Sequence, residues 1–148
     1  MKRLRLLALL AGGLMLGTAT AQEDAKADLV RFKGTWALIK FDKGKDAPPE
    51  KSSMTIRFVF DEERLTVLRD GKTVDETTFT IDASKTPKTI NIVSSQGPHK
   101  GKSAEGIYSL KDDTLIICMP PPGKPRPTEF KSDPATKTSV LTLKRASP

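Results

Sequence analysis

The sequence is poor in the residues that build most catalytic and metal centres. Among its 148 residues there is one cysteine, Cys118, and one histidine, His99. A single cysteine excludes an intramolecular disulfide, and one cysteine with one histidine is far short of a closed zinc site. We therefore expect no metal and no cofactor. Cys118 lies in the apolar run Leu115–Met119 and is interpreted as a buried, small hydrophobic residue.

Long hydrophobic runs are also missing, apart from one near the start. Leu6–Gly17 is uncharged and apolar, but about a dozen residues cannot cross a hydrocarbon core of about 30 Å as a helix. Cationic Lys2-Arg3-Leu4-Arg5 precedes the run, and small residues at Ala19 and Ala21 follow it. This is the layout of a signal peptide. It predicts cleavage after Ala21, no membrane span in the mature chain, and a periplasmic or extracellular location.

Positive charge is in excess but is not concentrated. The formal net charge is +7, with Lys and Arg interspersed among Asp and Glu. No arginine-rich stripe and no alternation of basic and aromatic residues indicates nucleic-acid binding. The surplus favours solubility or weak adhesion to anionic surfaces.

Beyond the signal, the sequence predicts one domain. Residues 1–21 are the signal peptide, and 22–33 form an N-terminal segment with a short helical turn that Asp28 could cap. Residues 34–148 alternate apolar and polar residues, which is typical of strands with one face in a core. The predicted strands cover 35–41, 54–60, 65–69, 72–81, 89–93, 102–110, 114–119 and 139–144.

The short turns between these strands indicate an antiparallel meander. Asp70-Gly71 is a two-residue hairpin signal. About eight sequential strands predict an all-β fold, closed into a lipocalin-like barrel without exposed edges. A β-sandwich is the alternative. In the barrel, the side chains of Trp36, Phe58, Phe79 and Tyr108 would point inward and line any ligand space.

No catalytic set is assembled in the sequence. Gly97–Ser103 resembles a phosphate-binding loop, but it has three residues between its glycines instead of four, and it leads into a strand rather than a helix. Adjacent acidic residues, such as Asp75-Glu76, point to opposite faces of a strand and cannot act on one bond. We predict no catalytic residues, and an enzyme is not the favoured class.

The proline-rich stretch Pro120–Pro127 is interpreted as a stiff loop between two strands. After it, Arg126 and Glu129 are expected to pair locally, and Phe130 is expected to plug the core.

Several stretches together resemble an uncharacterised secreted domain family that is abundant in planctomycete-type bacteria. The resemblance extends from about Asp28 to Arg145, and it implies export and a β fold but no catalytic residues. The stretches are Gly34-Thr35-Trp36, Thr86–Ile92, Gly106–Leu110, Asp113–Cys118, Arg126–Phe130 and Leu143–Arg145.

A narrower resemblance is to lipocalins. Gly34-Thr35-Trp36 is similar to the Gly-x-Trp that opens their first strand, and Arg145 matches the basic residue of their last strand. The resemblance implies that the guanidinium of Arg145 packs over the indole of Trp36, which makes both residues structural.

These observations favour a non-catalytic binding or interaction domain of the cell envelope. The first alternative is a lipocalin-like carrier of a small apolar ligand inside the barrel. A second alternative is an envelope protein that binds its partner through an exposed strand face, decorated by Thr55, Arg57, Lys72 and Thr78. An enzyme of unknown type is the remaining alternative.

Overall fold

The computed structural model describes residues 18–44 and 55–147, which form one α-helix and eight strands. A short 3-10 helix, Gly97–His99, lies in the loop before the sixth strand. The elements are α1 Thr18–Phe32, β1 Gly34–Asp42, β2 Ile56–Asp61, β3 Arg64–Arg69, β4 Lys72–Asp82, β5 Lys88–Ser94, β6 Ser103–Lys111, β7 Thr114–Met119 and β8 Ser139–Arg145.

The period-two pattern predicted the strands closely. Every observed strand begins and ends within two residues of its predicted limits. The predicted helical turn is present, but it belongs to a helix of 15 residues that begins at Thr18 and includes Asp28 in its interior. The described residues do not include the predicted signal run, nor Met54 and most of the predicted loop that precedes Met54.

The eight strands form a closed antiparallel barrel in sequence order, and β1 pairs with β8 to complete it. The predicted all-β barrel is confirmed, and the sandwich alternative is wrong. Trp36 lies opposite Phe58 on β2 and opposite Arg145 on β8. Closure therefore places the first strand, with its tryptophan, between the second strand and the last one.

Tight turns set the register of the hairpins. Asp70 and Gly71 have φ values of 50° and 80°, the two positive values that a type I′ turn requires. Asp112, in the turn between β6 and β7, also has a positive φ, of 51°. The turn 62–63, the turn 112–113 and helix α1 all lie at one end of the barrel, which we call the α1 end.

The core is formed by inward side chains of all eight strands and by one residue from α1, Phe32. Its best-buried members are Phe32, Trp36, Phe60, Leu65, Phe79, Ile90, Tyr108, Leu115, Ile117 and Leu143, each at most 3% exposed. Complete burial of a large apolar side chain stabilises a fold by about 1.5–3 kcal/mol. This core therefore supplies the stability that no disulfide can provide.

The segment between β7 and β8, residues 120–138, covers the outside of the barrel. The Arg126 guanidinium donates to the Gly106 carbonyl at 2.6 Å and to Asn91 Oδ1 at 2.7 Å. Gly106 admits no side chain, since a Cβ there would lie 2.5 Å from the Cys118 carbonyl oxygen. The segment also buries the Cys118 thiol, whose sulfur lies 3.5 Å from the Glu129 carbonyl oxygen. The prediction of a buried cysteine is confirmed.

Two predictions about this segment are wrong. Arg126 does not pair with Glu129, because its guanidinium reaches the outer surface of β5 and β6, where the Glu105 carboxylate is 3.9 Å away. Phe130 does not plug the core, because it lies on the outside of the barrel and remains 39% exposed. Helix α1 provides the plug instead, through Phe32.

Candidate functional site

The four aromatic residues predicted to line a ligand space all face the barrel interior. Trp36, Phe79 and Tyr108 are at most 2% exposed, and Phe58 is partly buried against them. The structure thus brings the four residues into one core. Three of them are so completely enclosed by protein that they leave no surface for a ligand at the α1 end.

Phe32 fills the space at this end of the barrel. Its ring makes edge contacts with Phe60 at 5.2 Å and Tyr108 at 5.0 Å between centroids, and it stacks on Phe79 at 5.8 Å. Phe60 and Phe79 also meet edge to face, at 5.0 Å. Such arrangements stabilise aromatic pairs by about 0.5–1.5 kcal/mol beyond area burial. The helix is therefore anchored by an aromatic side chain that closes the barrel.

A buried carboxylate anchors the same helix one turn earlier. Asp28 is 4% exposed, and its Oδ2 accepts hydrogen bonds from Tyr108 Oη and Lys88 Nζ, both at 2.7 Å. Arg31 on the next turn of α1 lies 3.7 Å from Oδ1. A buried charge is tolerated only when it is paired and hydrogen bonded, and Asp28 meets both conditions.

The phenol of Tyr108 responds to this arrangement. Burial, together with the hydrogen bond to the Asp28 carboxylate, raises the pKa of Tyr108 far above its ordinary value near 10. Ionised tyrosine would place a second negative charge beside Asp28 and would lose the proton that it donates. Tyr108 is therefore held in its neutral form as a hydrogen-bond donor.

The contact between Trp36 and Arg145 is present as the lipocalin resemblance implied. The Arg145 guanidinium carbon lies 4.3 Å from the centroid of the Trp36 ring. Arg145 also donates to the carbonyl oxygens of Lys33, at 3.2 Å, and Arg31, and it pairs with Asp113 at 3.3 Å. Gly34 leaves room for it, since a Cβ there would come within 3.3 Å of the guanidinium. Gly34, Trp36 and Arg145 thus join α1, β1 and β8.

An open groove of about 900 Å³ runs outside the barrel between α1 and the turn from β2 to β3. We call it the α1 groove; it is lined by Leu29, Val30, Lys33, Asp61, Glu62, Glu63, Arg64 and Thr78. Leu29 and Val30 are 39% and 76% exposed, which is unusual for two adjacent large apolar residues. Lys33 Nζ pairs with Asp61 at 3.2 Å across the groove.

The sequence did not reveal Asp28 and Phe32 as a pair. Asp28 was predicted to be a helix cap, and no contact with the barrel was predicted for Phe32. Their four-residue spacing, which places two side chains on one helix face, was the available signal. The presence of a single tyrosine, whose hydroxyl must find a partner when buried, was a second signal.

The other motifs carry no site. Gly97–His99 forms an exposed 3-10 turn before β6, so the glycine-rich stretch does not open an α-helix. Within residues 18–44 and 55–147, no three His, Cys, Asp or Glu side chains are grouped as metal ligands. None of the helices described is both long and apolar enough to cross a membrane. No family model, curated protein or solved structure matches the chain.

Proposed function

We propose that this protein is an exported, non-catalytic interaction domain of the cell envelope that binds a segment of a partner protein in the α1 groove. The observation that carries the proposal is the exposure of Leu29 and Val30 on a helix turn fixed by Asp28 and Phe32. Because that turn is anchored on its other face, the groove is a preformed surface, which keeps the entropic cost of binding low.

The charges of the groove indicate the chemistry of the partner. Three carboxylates, Asp61, Glu62 and Glu63, and two cations, Lys33 and Arg64, line the groove, and Lys33 is already paired with Asp61. Among the described residues no ion pair involves Glu62 or Glu63. A segment with apolar side chains and at least one lysine or arginine would therefore bury Leu29 and Val30 and meet complementary charge.

Export is the second part of the proposal, and the sequence supports it. The cationic start, the apolar run Leu6–Gly17 and the small residues before Gln22 form the signal layout. Cleavage after Ala21 would leave Asp28, Phe32 and the groove residues in the mature chain. The resemblance to a secreted domain family points to the same location.

The proposal is tested by photo-crosslinking in the living host. A photoreactive amino acid is placed at Val30 and, as a matched control, at Val74, which is 52% exposed on β4. We expect a discrete adduct from position 30 in the envelope fraction, attached to a peptide that contains apolar and basic residues. Glu62→Lys with Glu63→Lys should abolish the adduct. An identical adduct pattern at both positions, or none at position 30, would refute the proposal.

A carrier of a small apolar ligand is a second candidate, supported by one observation. Leu38, Phe58, Ile92, Met119 and Leu141 pack against the core but are only partly buried. Such side chains could contact a ligand in the barrel beyond the region that Phe32 fills. Native mass spectrometry of protein purified from its own host should then show a bound small molecule, whereas a mass equal to the chain alone argues against carriage.

A further inference from the structure

The pairing of β1 with β8 is irregular near the middle of β1. The register shifts by one residue between Leu38 and Lys40, which leaves Ile39 as the extra residue of a bulge. Ile39 is 60% exposed, and Lys40 beside it is exposed as well. The bulge therefore presents an apolar and a cationic side chain next to each other on the outside of the barrel.

The 120–138 segment brings a second such pair to the same side. Phe130 and Lys131 lie beside Lys40 along a shallow groove of about 390 Å³, together with Asp42, Ser132, Val140 and Thr142. Phe130 is 39% exposed, although Arg126 fixes the segment that carries it. We call Ile39, Lys40, Phe130 and Lys131 the β1–β8 patch.

Three lysines lie in or beside this patch. Lys40 and Lys131 are exposed, and neighbouring Lys43 lies with its Nζ 4.7 Å from the centroid of the Phe41 ring. Asp42 is the carboxylate of the groove, and its Oδ1 accepts hydrogen bonds from the Gly44 amide at 2.8 Å and Ser132 Oγ at 2.9 Å. Of the nearby carboxylates, Asp42 and Asp133 thus accept hydrogen bonds within the protein and Glu129 is exposed, against three exposed lysines.

We propose that the β1–β8 patch binds the surface of a bilayer that contains anionic phospholipid. The ammonium groups of Lys40 and Lys131 would contact lipid phosphates, and Ile39 and Phe130 would enter the interfacial layer. This is independent of the α1 groove, which lies between α1 and the turn from β2 to β3.

The arrangement of the patch favours a bilayer over a protein partner. Ile39 and Phe130 are exposed on the outside of the barrel, and each is followed in sequence by an exposed lysine. Each lysine near an anionic membrane strengthens binding by a factor of about five, so two lysines give weak, reversible attachment. The positive net charge of the chain acts in the same direction.

The test is flotation of the purified protein with vesicles of phosphatidylcholine alone or mixed with phosphatidylglycerol. We expect binding only to the mixed vesicles, and weakening as salt is added. Lys40→Glu with Lys131→Glu should weaken binding about 25-fold or more. Ile39→Thr with Phe130→Ser should weaken it about tenfold.

A matched control is available on β4, where exposed Val74 lies near Lys72. Lys72→Glu with Val74→Thr reverses one lysine and replaces one apolar side chain outside the patch, and it should bind nearly as the unaltered protein does, whereas the like-sized change Lys40→Glu with Ile39→Thr inside the patch should weaken binding. The fluorescence of buried Trp36 verifies that each variant is folded. In Phe130→Trp, the emission of the added indole should shift to the blue only with the mixed vesicles.

Three outcomes would overturn the proposal. One is equal binding to vesicles without phosphatidylglycerol. Another is an equal loss of vesicle binding in the β4 control, which would mean that binding follows the net charge of the protein and not the patch. The third is full binding by Ile39→Thr with Phe130→Ser and no spectral shift in Phe130→Trp, which would indicate adhesion to any polyanion, without insertion. None of these results bears on crosslinking at Val30.

Discussion

Asp28 shows how one side chain connects the helix to the barrel wall. Its carboxylate is buried, whereas the side chain of its partner Lys88 keeps 37% of its surface exposed, so only one of the two charges is removed from water. The pair therefore avoids most of the desolvation cost of a fully buried ion pair. Tyr108 contributes a second donor from β6, and α1 is thereby tied to two strands.

The first prediction concerns the ionisation of Tyr108, the single tyrosine of the chain. Because burial and Asp28 raise its pKa, the folded protein should show no tyrosinate absorbance at 295 nm at about pH 11, whereas the urea-unfolded chain should titrate near pH 10. The unfolded chain loses the proton first. Stability should therefore fall as pH rises above about 10.

Asp28→Asn provides the control for this titration. It keeps a hydrogen-bond acceptor beside the phenol but removes the charge, so tyrosinate should form at lower pH than in the unaltered protein. Coincident titration curves for Asp28→Asn and the unaltered protein would show that Asp28 does not act on Tyr108.

At the residue scale, the sequence predicted contacts that involve strands and missed those that involve α1. The contact between Trp36 and Arg145 was predicted through the lipocalin resemblance, and the pairing of β1 with β8 brings the two residues together. Asp28 lies in a segment rich in charged residues, where carboxylates are mostly exposed. Its burial depends on where the helix lies against the barrel, and a periodicity of two along the strands carries no information about that.

At the scale of elements, the 120–138 segment acts as an outer cover for β6 and β7. Ile107 and Cys118 face each other on these strands and are at most 1% exposed, although they do not belong to the interior cluster. Burial beneath the segment raises the pKa of the Cys118 thiol, which lowers the fraction of reactive thiolate. The thiol is therefore a reporter of whether the cover is in place.

The second prediction uses this reporter. Arg126→Ala removes the hydrogen bonds to Gly106 and Asn91, which contribute about 1.5–3 kcal/mol each as charged interactions. The segment should then open more often, and a thiol reagent should label Cys118 roughly tenfold faster or more, as followed by absorbance. Lys124→Ala, at an exposed residue of the same segment, should label as slowly as the unaltered protein. Equal rates in all three proteins would disprove the role of Arg126.

The elements themselves were accessible from the sequence to different degrees. Strands such as Ile56–Asp61 alternate clearly because one face meets the core and the other meets water. The outer cover has no such alternation, since proline fixes its backbone and its contacts are long-range. Phe130 was consequently assigned to the core by its hydrophobicity alone, although it lies on the outside.

At the scale of the whole molecule, a helix external to the sheet completes the core. Phe32 touches aromatic side chains from β2, β4 and β6, and thereby connects three strands of which no two are neighbours in the barrel. The packing of the aromatic side chains at the α1 end therefore depends on Phe32, a residue that precedes the first strand.

The third prediction measures this dependence. Phe32→Ala should lower the free energy of unfolding by about 3–5 kcal/mol, because it leaves a cavity among Phe60, Phe79 and Tyr108. Urea denaturation followed by Trp36 fluorescence gives the value. Val30→Ala, on the exposed face of the same helix, should change stability by no more than about 0.5 kcal/mol. Equal effects of the two substitutions would mean that α1 does not close the barrel.

The pairing of β1 with β8 also determines when during synthesis the molecule can fold. Hydrogen bonds between Ala146 and Thr35 and between Arg145 and Lys33 join residues that leave the ribosome more than a hundred positions apart. Until β8 has been translated, β1 has an unpaired side and Trp36 lacks its guanidinium partner. Such distant pairings form slowly. The barrel can therefore close only after residues near 145 have been synthesised, and until then its first strand keeps one edge free to pair with other chains.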